Sequence, residues 1–385
     1  MKITVIGGGM SGLTAAIALA KKGHKVTLLE ANKRIGKKIS VTGNGRCNIF
    51  NADFDPNKYN DSDLAKKIIK DYSEKVKNFL SEIGLVTGDP DEQGRVYPVT
   101  ETANSVVDCL RYAAEKNGVN IITECKAEKI IETELGVNVE SDKGTYRGDR
   151  VVVAVGSNIG VSGYNADNII DQKFFTRRFP SLTPVKVFNP IPQLNGVRVT
   201  AKVSLTKNGE KVFMEQGEVL FKEYGLGGIV ILNLSSIIAR DMVKGETANY
   251  IISLDFFPNY TENELTALLG ERLIKYGSDK MFCGLLHNKI SEAVLSRIKG
   301  PLTKNNIAKA AATLKGFTFK FHSLVDKSMA QVCAGGIDEK FLDGLKLKNT
   351  NIYFAGEVLN VDGVCGGYNL YFACASGLFV AETIK

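Results

Sequence analysis

Met1-Lys2-Ile3-Thr4-Val5-Ile6 runs straight into Gly7-Gly8-Gly9-Met10-Ser11-Gly12, and this junction decides the fold. The apolar run reads as a strand. Gly7 permits the tight turn out of it, Gly9 lets the backbone approach a pyrophosphate, and Gly12 lets the following helix pack closely. Residues 13–22 (LTAAIALAKK) are rich in helix formers, and the helix N-terminus offers N–H groups to phosphate oxygens. Gly23 ends that helix, and Lys25-Val26-Thr27-Leu28-Leu29-Glu30 forms the second strand. Glu30 stands at its end, about 20 residues past the glycines, where a carboxylate accepts hydrogen bonds from a ribose diol. A glycine triplet alone is weak evidence; a strand before it, a helix after it and an acid in register make a dinucleotide site. The carboxylate also disfavours a 2′-phosphate, which argues against NADP at this position.

The far end of the chain supplies a second half. Ile352-Tyr353-Phe354-Ala355-Gly356-Glu357 leads into Asp362-Gly363-Val364-Cys365-Gly366-Gly367-Tyr368-Asn369-Leu370. A late strand of this kind presents its end to the far half of the cofactor, and the two motifs together select a flavoprotein. Between them, Val151-Val152-Val153-Ala154-Val155-Gly156 reads as a buried parallel strand whose Gly156 lets the next loop approach the cofactor. The expected fold class is therefore α/β, with a discontinuous Rossmann-like FAD-binding domain.

Composition fits a soluble globular protein. The 385 residues are 44% hydrophobic and 24% charged, long enough for two or three structural units. Net charge is +7, but the lysines are scattered, as in Ala65-Lys66-Lys67-Ile68-Ile69-Lys70, and read as solvated helix faces rather than a nucleic-acid footprint. No run is long and apolar enough to read as a membrane span. The N-terminus is a glycine-interrupted βα unit without a small-residue cleavage pattern, so cytoplasm is the expected compartment. The seven cysteines (Cys47, Cys109, Cys125, Cys283, Cys333, Cys365, Cys374) lack the close spacing of a metal site or a redox dithiol. The three histidines, His24, His287 and His322, lie far apart in sequence, and no metal is expected. Chemistry must come from the cofactor.

Along the chain, residues 60–83 and 102–116 carry helical periodicity. Residues 94–98, 119–123, 126–132 and 137–140 read as strands. From 184 to 257 the alternation is strand-like, broken by glycines at 225–228. Residues 261–314 read as helical, with starts near Thr261-Glu262-Asn263-Glu264, a capping-box pattern, and near Thr303. Residues 317–324 (FTFKFHSL) alternate again. The insertion is thus β, then α, then one returning strand.

At this point the residues carry a resemblance. Residues 30–38 (EANKRIGKK), 42–48 (TGNGRCN), 94–98 (GRVYP), 331–336 (QVCAGG) and the C-terminal AGEVLNVDGVCGGYNL resemble the YhiN/BaiN family of bacterial flavoproteins. The resemblance spans nearly the whole chain and implies noncovalent FAD and three parts. These are an FAD domain of the glutathione-reductase type (1–178 and 326–385), an inserted β-barrel (179–257, with a returning strand at 316–325) and a helical cap (258–315). The chain departs from the family pattern at Ser157-Asn158-Ile159-Gly160 and around Lys222-Glu223 and Gly227-Gly228-Ile229, which leaves the substrate open.

Residue roles follow. Gly7, Gly9, Met10, Ser11, Gly12, Glu30 and Ala31 are assigned to the ADP half, and Ala127 to the adenine through its backbone. By resemblance, Lys38 and the loop Thr42-Gly43-Asn44-Gly45-Arg46-Cys47-Asn48 lie along the pyrophosphate and flavin. Arg46 is a candidate for phosphate, flavin or an acidic substrate, or for a structural ion pair. Gly356 and Glu357 address the ribitol, and Ala154, Val155 and Gly156 bring the end of the buried strand to the cofactor. Gly363 and Gly367-Tyr368-Asn369-Leu370 open the last helix, whose positive end stabilises negative charge at the flavin's N1/O2 edge. Tyr368 is expected to pack on the ring, and no catalytic acid or base is singled out.

Three function classes remain. The favoured one is an FAD-dependent oxidoreductase that reduces a small apolar enone with NADH or NADPH as transient donor. Within the family, bile-acid-type enone reduction is ascribed to some members and aminoacetone oxidation to a related group. The alternatives are thus a flavin amine oxidase that passes electrons to oxygen, and a non-catalytic flavin-binding or nucleic-acid-associated protein. No second glycine fingerprint is present for a stably bound nicotinamide, and the oligomeric state is left open.

Overall fold

The computed structural model describes residues 1–60, 62–157, 169–298 and 302–385. The chain forms two compact units. The first comprises Met1–Ser181, Met242–Lys244 and Ala330–Lys385, and the second Leu182–Asp241 and Gly245–Met329. Among the described residues the helices are α1 (Met10–Lys21), α2 (Asp63–Glu82), α3 (Ala103–Lys116), α4 (Ile229–Val243), α5 (Glu262–Tyr276), α6 (Asn288–Ile298), α7 (Ile307–Lys315) and α8 (Tyr368–Thr383).

In the first unit, five parallel strands form the core of a sheet: β1 (Lys2–Ile6), β2 (Lys25–Leu29), β3 (Asn120–Ile122), β4 (Arg150–Val153) and β5 (Ile352–Phe354). Their spatial order is β5-β4-β1-β2-β3, extended past β5 by two short antiparallel strands at Leu342–Asp343 and Lys346–Leu347. The chain therefore leaves β1 for one side and later returns to its other side. Such a reversal opens a crevice at the carboxyl ends of the strands. Val151, Val152 and Val153 are wholly buried, as an apolar run with both faces covered should be. A separate three-stranded sheet, Ala127–Thr133, Gly136–Ser141 and Gly144–Gly148, adds one strand to those read from the sequence.

Helix α8 is apolar on every side, so it is buried rather than amphipathic. It lies directly on α1. Thr14 Oγ1 donates to Cys374 Sγ at 3.7 Å, and a side-chain carbon at Gly377 would stand 2.6 Å from the Ser11 carbonyl oxygen. Helix α2 keeps Ile68, Ile69, Tyr72, Val76 and Phe79 inward while Lys67 and Lys70 are exposed, so its lysines form a solvated face.

The second unit contains a closed antiparallel barrel. In order around it run Val185–Val187, Gly225–Gly227, Glu210–Lys222, Arg198–Lys207, Tyr250–Asp255 and Phe317–Leu324, which pairs back to the first. The returning strand after the helical stretch thus closes the barrel. One expectation fails here: residues 229–243 are not strand but α4. The run IVILNLSSIIARDMV is rich in β-branched residues and imitates a buried strand. Its inward residues Val230, Ile231, Leu234, Ser235, Ile238 and Ala239 nevertheless recur at helical spacing. The helical stretch divides into α5, α6 and α7. Thr261 and Glu264 form the reciprocal capping box at the start of α5. The start near Thr303 moves to Asn306, the N-cap of α7, whose Oδ1 accepts the Thr303 N–H at 2.7 Å. The departure at 158–160 lies outside the described residues. No described helix is long and apolar enough to cross a membrane.

The α1–α8 contact can be tested by overpacking it. Gly377→Ala should lower stability by about 1–3 kcal/mol, read as a lower urea midpoint at unchanged slope. An unchanged midpoint would mean that the two helices are not in close contact at this point.

Candidate functional site

The carboxyl ends of β1, β2, β4 and β5 deliver the four segments singled out in the sequence. Gly7 leaves β1 at φ +107°, a conformation that L side chains rarely adopt, and a side-chain carbon there would overlap the Ala154 carbonyl oxygen. At Gly12 a side chain would overlap the Gly7 carbonyl oxygen, so the helix is pressed onto the turn. Gly9 has open space around its missing side chain and is the N-cap of α1, with no side-chain oxygen capping the helix. The first-turn N–H groups of α1 are therefore left for an anion. Met10 and Ser11 are buried, and Ser11 Oγ lies against Gly356, which ties the first motif to the last.

Glu30 is buried at 8% exposure and held from two sides. Its Oε2 accepts the Gly8 N–H at 2.7 Å, and its Oε1 accepts the backbone N–H of Asn32 at 2.7 Å. A carboxylate has lone pairs beyond these, so the fixed acceptor remains able to take a diol. Cys125 N–H donates to the Glu30 carbonyl, which brings the chain leading to Ala127 alongside. Ala127 itself is fully buried.

The Thr42–Asn48 loop is bent by left-handed backbone at Gly43, Asn44, Gly45 and Cys47, with φ from 55° to 83°. Asn tolerates that region, whereas Cys47 is a costly residue for it, and such strain concentrates at functional loops. Cys47 is fully buried, and burial pushes its thiol up to about 11. The loop meets the start of α8. Gly367 is the N-cap at φ +100°, with no side-chain cap, and a carbon there would come within 2.8 Å of Asn48 Oδ1. Asn48 Oδ1 is buried without a hydrogen-bond partner. Asn369 holds the approach to this helix, accepting the Gly363 N–H at 2.8 Å and donating to the Gly363 carbonyl at 2.9 Å.

Two assigned side chains have partners within the protein. The Arg46 guanidinium stacks 4.3 Å above the Tyr97 ring and pairs with Glu101 at 2.5 Å, the structural alternative considered for it. The Tyr368 hydroxyl donates to both oxygens of Asp53, at 2.8 and 2.7 Å. Burial and that carboxylate hold the phenol far above its ordinary range. Beyond β4 and β5 a polar cluster forms around Glu357. Lys38 Nζ reaches its Oε2 at 2.5 Å, and its Oε1 accepts Ser157 Oγ at 2.7 Å and the Cys333 N–H at 3.1 Å. Ser157 and Cys333 were not assigned from the sequence. Nor was Gly8, where a side-chain carbon would strike Ile35 Cγ2 at 2.8 Å. Ser157 directly follows Gly156 and Gly8 sits inside the glycine run, so both carried a signal; Cys333 acts through its backbone and carried none.

A dinucleotide flavin fits this arrangement. An uncapped helix N-terminus stands for the diphosphate, a fixed carboxylate for the ribose, and a buried unpartnered acceptor beside a second uncapped helix start. The family described as the HI0933-like protein Rossmann domain matches residues 1–383. The chain belongs to this family. Among its relatives, the 3-dehydro-bile acid delta(4,6)-reductase of Clostridium scindens is 30% identical over 402 residues, covering 98% of this chain and 97% of its own. The ribosomal RNA dihydrouridine synthases of Haemophilus influenzae and Escherichia coli are each 24% identical over 405 residues, covering 99% of this chain. These cover 98% and 97% of their own lengths. The HI0933-like chain described here is an FAD-dependent oxidoreductase.

Two outcomes test the site. Glu30→Ala should weaken FAD binding about tenfold or more, since hydrogen bonds to a charged acceptor are worth about 1.5–3 kcal/mol. Fluorescence titration of flavin-stripped protein reads this, and unchanged affinity would remove Glu30 from the ribose. Second, burial pushes the Cys333 thiol up to about 12, with the Glu357 carboxylate adding to it. Near neutral pH a thiol reagent should label exposed Cys283 first, and Cys47 and Cys333 only on unfolding. Early labelling of either buried thiol would contradict this burial.

Proposed function

We propose that this oxidoreductase reduces a carbon–carbon double bond conjugated to a carbonyl in a small apolar molecule, with NADH or NADPH as the electron donor. The observation that carries this reading is the 30% identity, over nearly the full length of both chains, to a protein named as a delta(4,6)-reductase of a 3-dehydro bile acid. The name of the RNA relatives points to the same bond type, because dihydrouridine differs from uridine by saturation of the ring double bond conjugated to C4=O. When bound, FAD supplies the two-electron chemistry that the side chains lack.

The protein's part is positional. Glu30 and the start of α1 hold the ADP half, the group around Gly356 and Glu357 addresses the ribityl side, and the N–H groups opening α8 offer a positive end to the ring's pyrimidine edge. The loop from Thr42 to Asn48 and the turn at Gly363 complete the cradle. No two of the seven cysteines form a disulfide, and in this reading electrons enter and leave directly at the flavin. In this reading residues 1–178 and 326–385 serve as the FAD domain, 179–257 with 316–325 as the barrel, and 258–315 as the cap.

Anaerobic mixing tests the proposal. One nicotinamide should bleach the flavin absorbance within minutes, and a 3-oxo-4-ene steroid should restore it faster than air does. Restoration by ribosomal RNA but not by the steroid would transfer the substrate to a pyrimidine ring. Bleaching by aminoacetone with peroxide formation, and inertness to both nicotinamides, would make the protein an amine oxidase.

A further inference from the structure

The cluster around Glu357 has a charge problem that the cofactor makes acute. Glu30 and Glu357 both follow carboxyl ends of the parallel strands, β2 and β5, the end of the sheet at which the anionic diphosphate of FAD would bind. Glu30 accepts from the Gly8 and Asn32 backbone N–H groups and from the Asn32 side-chain amide. Glu357 takes two neutral donors, Ser157 Oγ and the Cys333 N–H, on one oxygen, and a cation, Lys38, on the other. The pair is partly shielded, with side-chain exposures of 31% for Lys38 and 18% for Glu357, so each charge feels the other at less than bulk-water screening. The four groups come from four separate segments of the first unit: the stretch after β2, the ends of β4 and β5, and the short strand Val332–Ala334. The carboxylate is thereby fixed in place as well as neutralised.

We propose that Lys38 is a positioning residue that acts on the cofactor through Glu357: it neutralises and aims that carboxylate so that an anionic dinucleotide can bind beside it. It does not serve as a direct diphosphate ligand; the family resemblance implied only that it lies along the pyrophosphate and flavin. The proposal rests on FAD as the cofactor and not on the enone substrate, so failure of the reductase assay leaves it standing.

The two roles make opposite statements about a double variant. Lys38→Met leaves a half-buried carboxylate facing an anionic ligand, and FAD affinity should fall about tenfold to a hundredfold. Glu357→Gln keeps the side-chain shape and an acceptor for Ser157 and the Cys333 N–H while removing the charge that Lys38 balances. In Lys38→Met/Glu357→Gln, affinity should therefore recover to within about threefold of Glu357→Gln alone, a coupling of the size that contacting residues show. Lys38→Arg, which keeps a cation, should stay near the parent. The measurement is flavin fluorescence released on dilution of each holoprotein, with urea midpoints taken in parallel. A Lys38→Met chain that folds only when Glu357→Gln accompanies it supports the same coupling. A double variant as weak as Lys38→Met, or weaker, overturns the proposal and returns Lys38 to the diphosphate.

Discussion

Everything at this site depends on how closely α1 approaches the end of β1. The first-turn N–H groups of α1 can address a phosphate only if the chain reverses within three residues and the helix then lies against its own turn. Side-chain carbons at Gly7 and Gly12 would overlap carbonyl oxygens, at Ala154 and Gly7 respectively. Those two positions therefore fix the distance between β1, α1 and β4. Because β4 is positioned in the same step, the crevice and its anion-binding end arise together rather than as separate inventions.

The same constraint explains why the chain must return. β1 has neighbours on both sides, β2 and β4, and β4 in turn pairs with β5 from the far end of the sequence. Helix α8 then covers α1, with Gly377 against Ser11, and Gly356 passes close to Ser11 Oγ. An apolar α8 has no solvent face to spare, so it can exist only where another helix and the sheet enclose it. Insertion of a whole barrel between the two halves costs little here, since the entropy of closing a loop grows only slowly with its length.

Much of this was legible in the sequence, and for a physical reason. Glycines at 7 and 12 are demanded by backbone contacts and the triple valine at 151–153 by burial, while Gly9 and Glu30 answer to the dinucleotide, so the pattern survives whatever the substrate is. The capping box at Thr261 was likewise local and appeared where it was read. What failed was non-local. Helix α4 is spelled in residues that favour strands, and only its packing inside the second unit selects the helical period. Arg46 and Tyr368 stood in motifs that suggested chemistry. Their partners, Glu101 and Asp53, lie 55 and 315 residues away, so no local pattern could announce these pairings.

That contrast sets where substrate information can reside. A cofactor of fixed shape imposes fixed demands, which recur as glycines, one acid and two helix starts. A substrate imposes demands only on the groups that touch it, and in a flavoenzyme these need not include an acid, a base or a nucleophile, because the ring carries the reaction. Side chains such as Cys47, Cys333 and Tyr368 are therefore free to be spent on burial and on hydrogen bonds that hold loops in place. The reading of a double-bond reductase consequently draws its weight from relatives matched along the whole chain. The residues themselves speak most clearly about how an anion is accommodated between carboxylates.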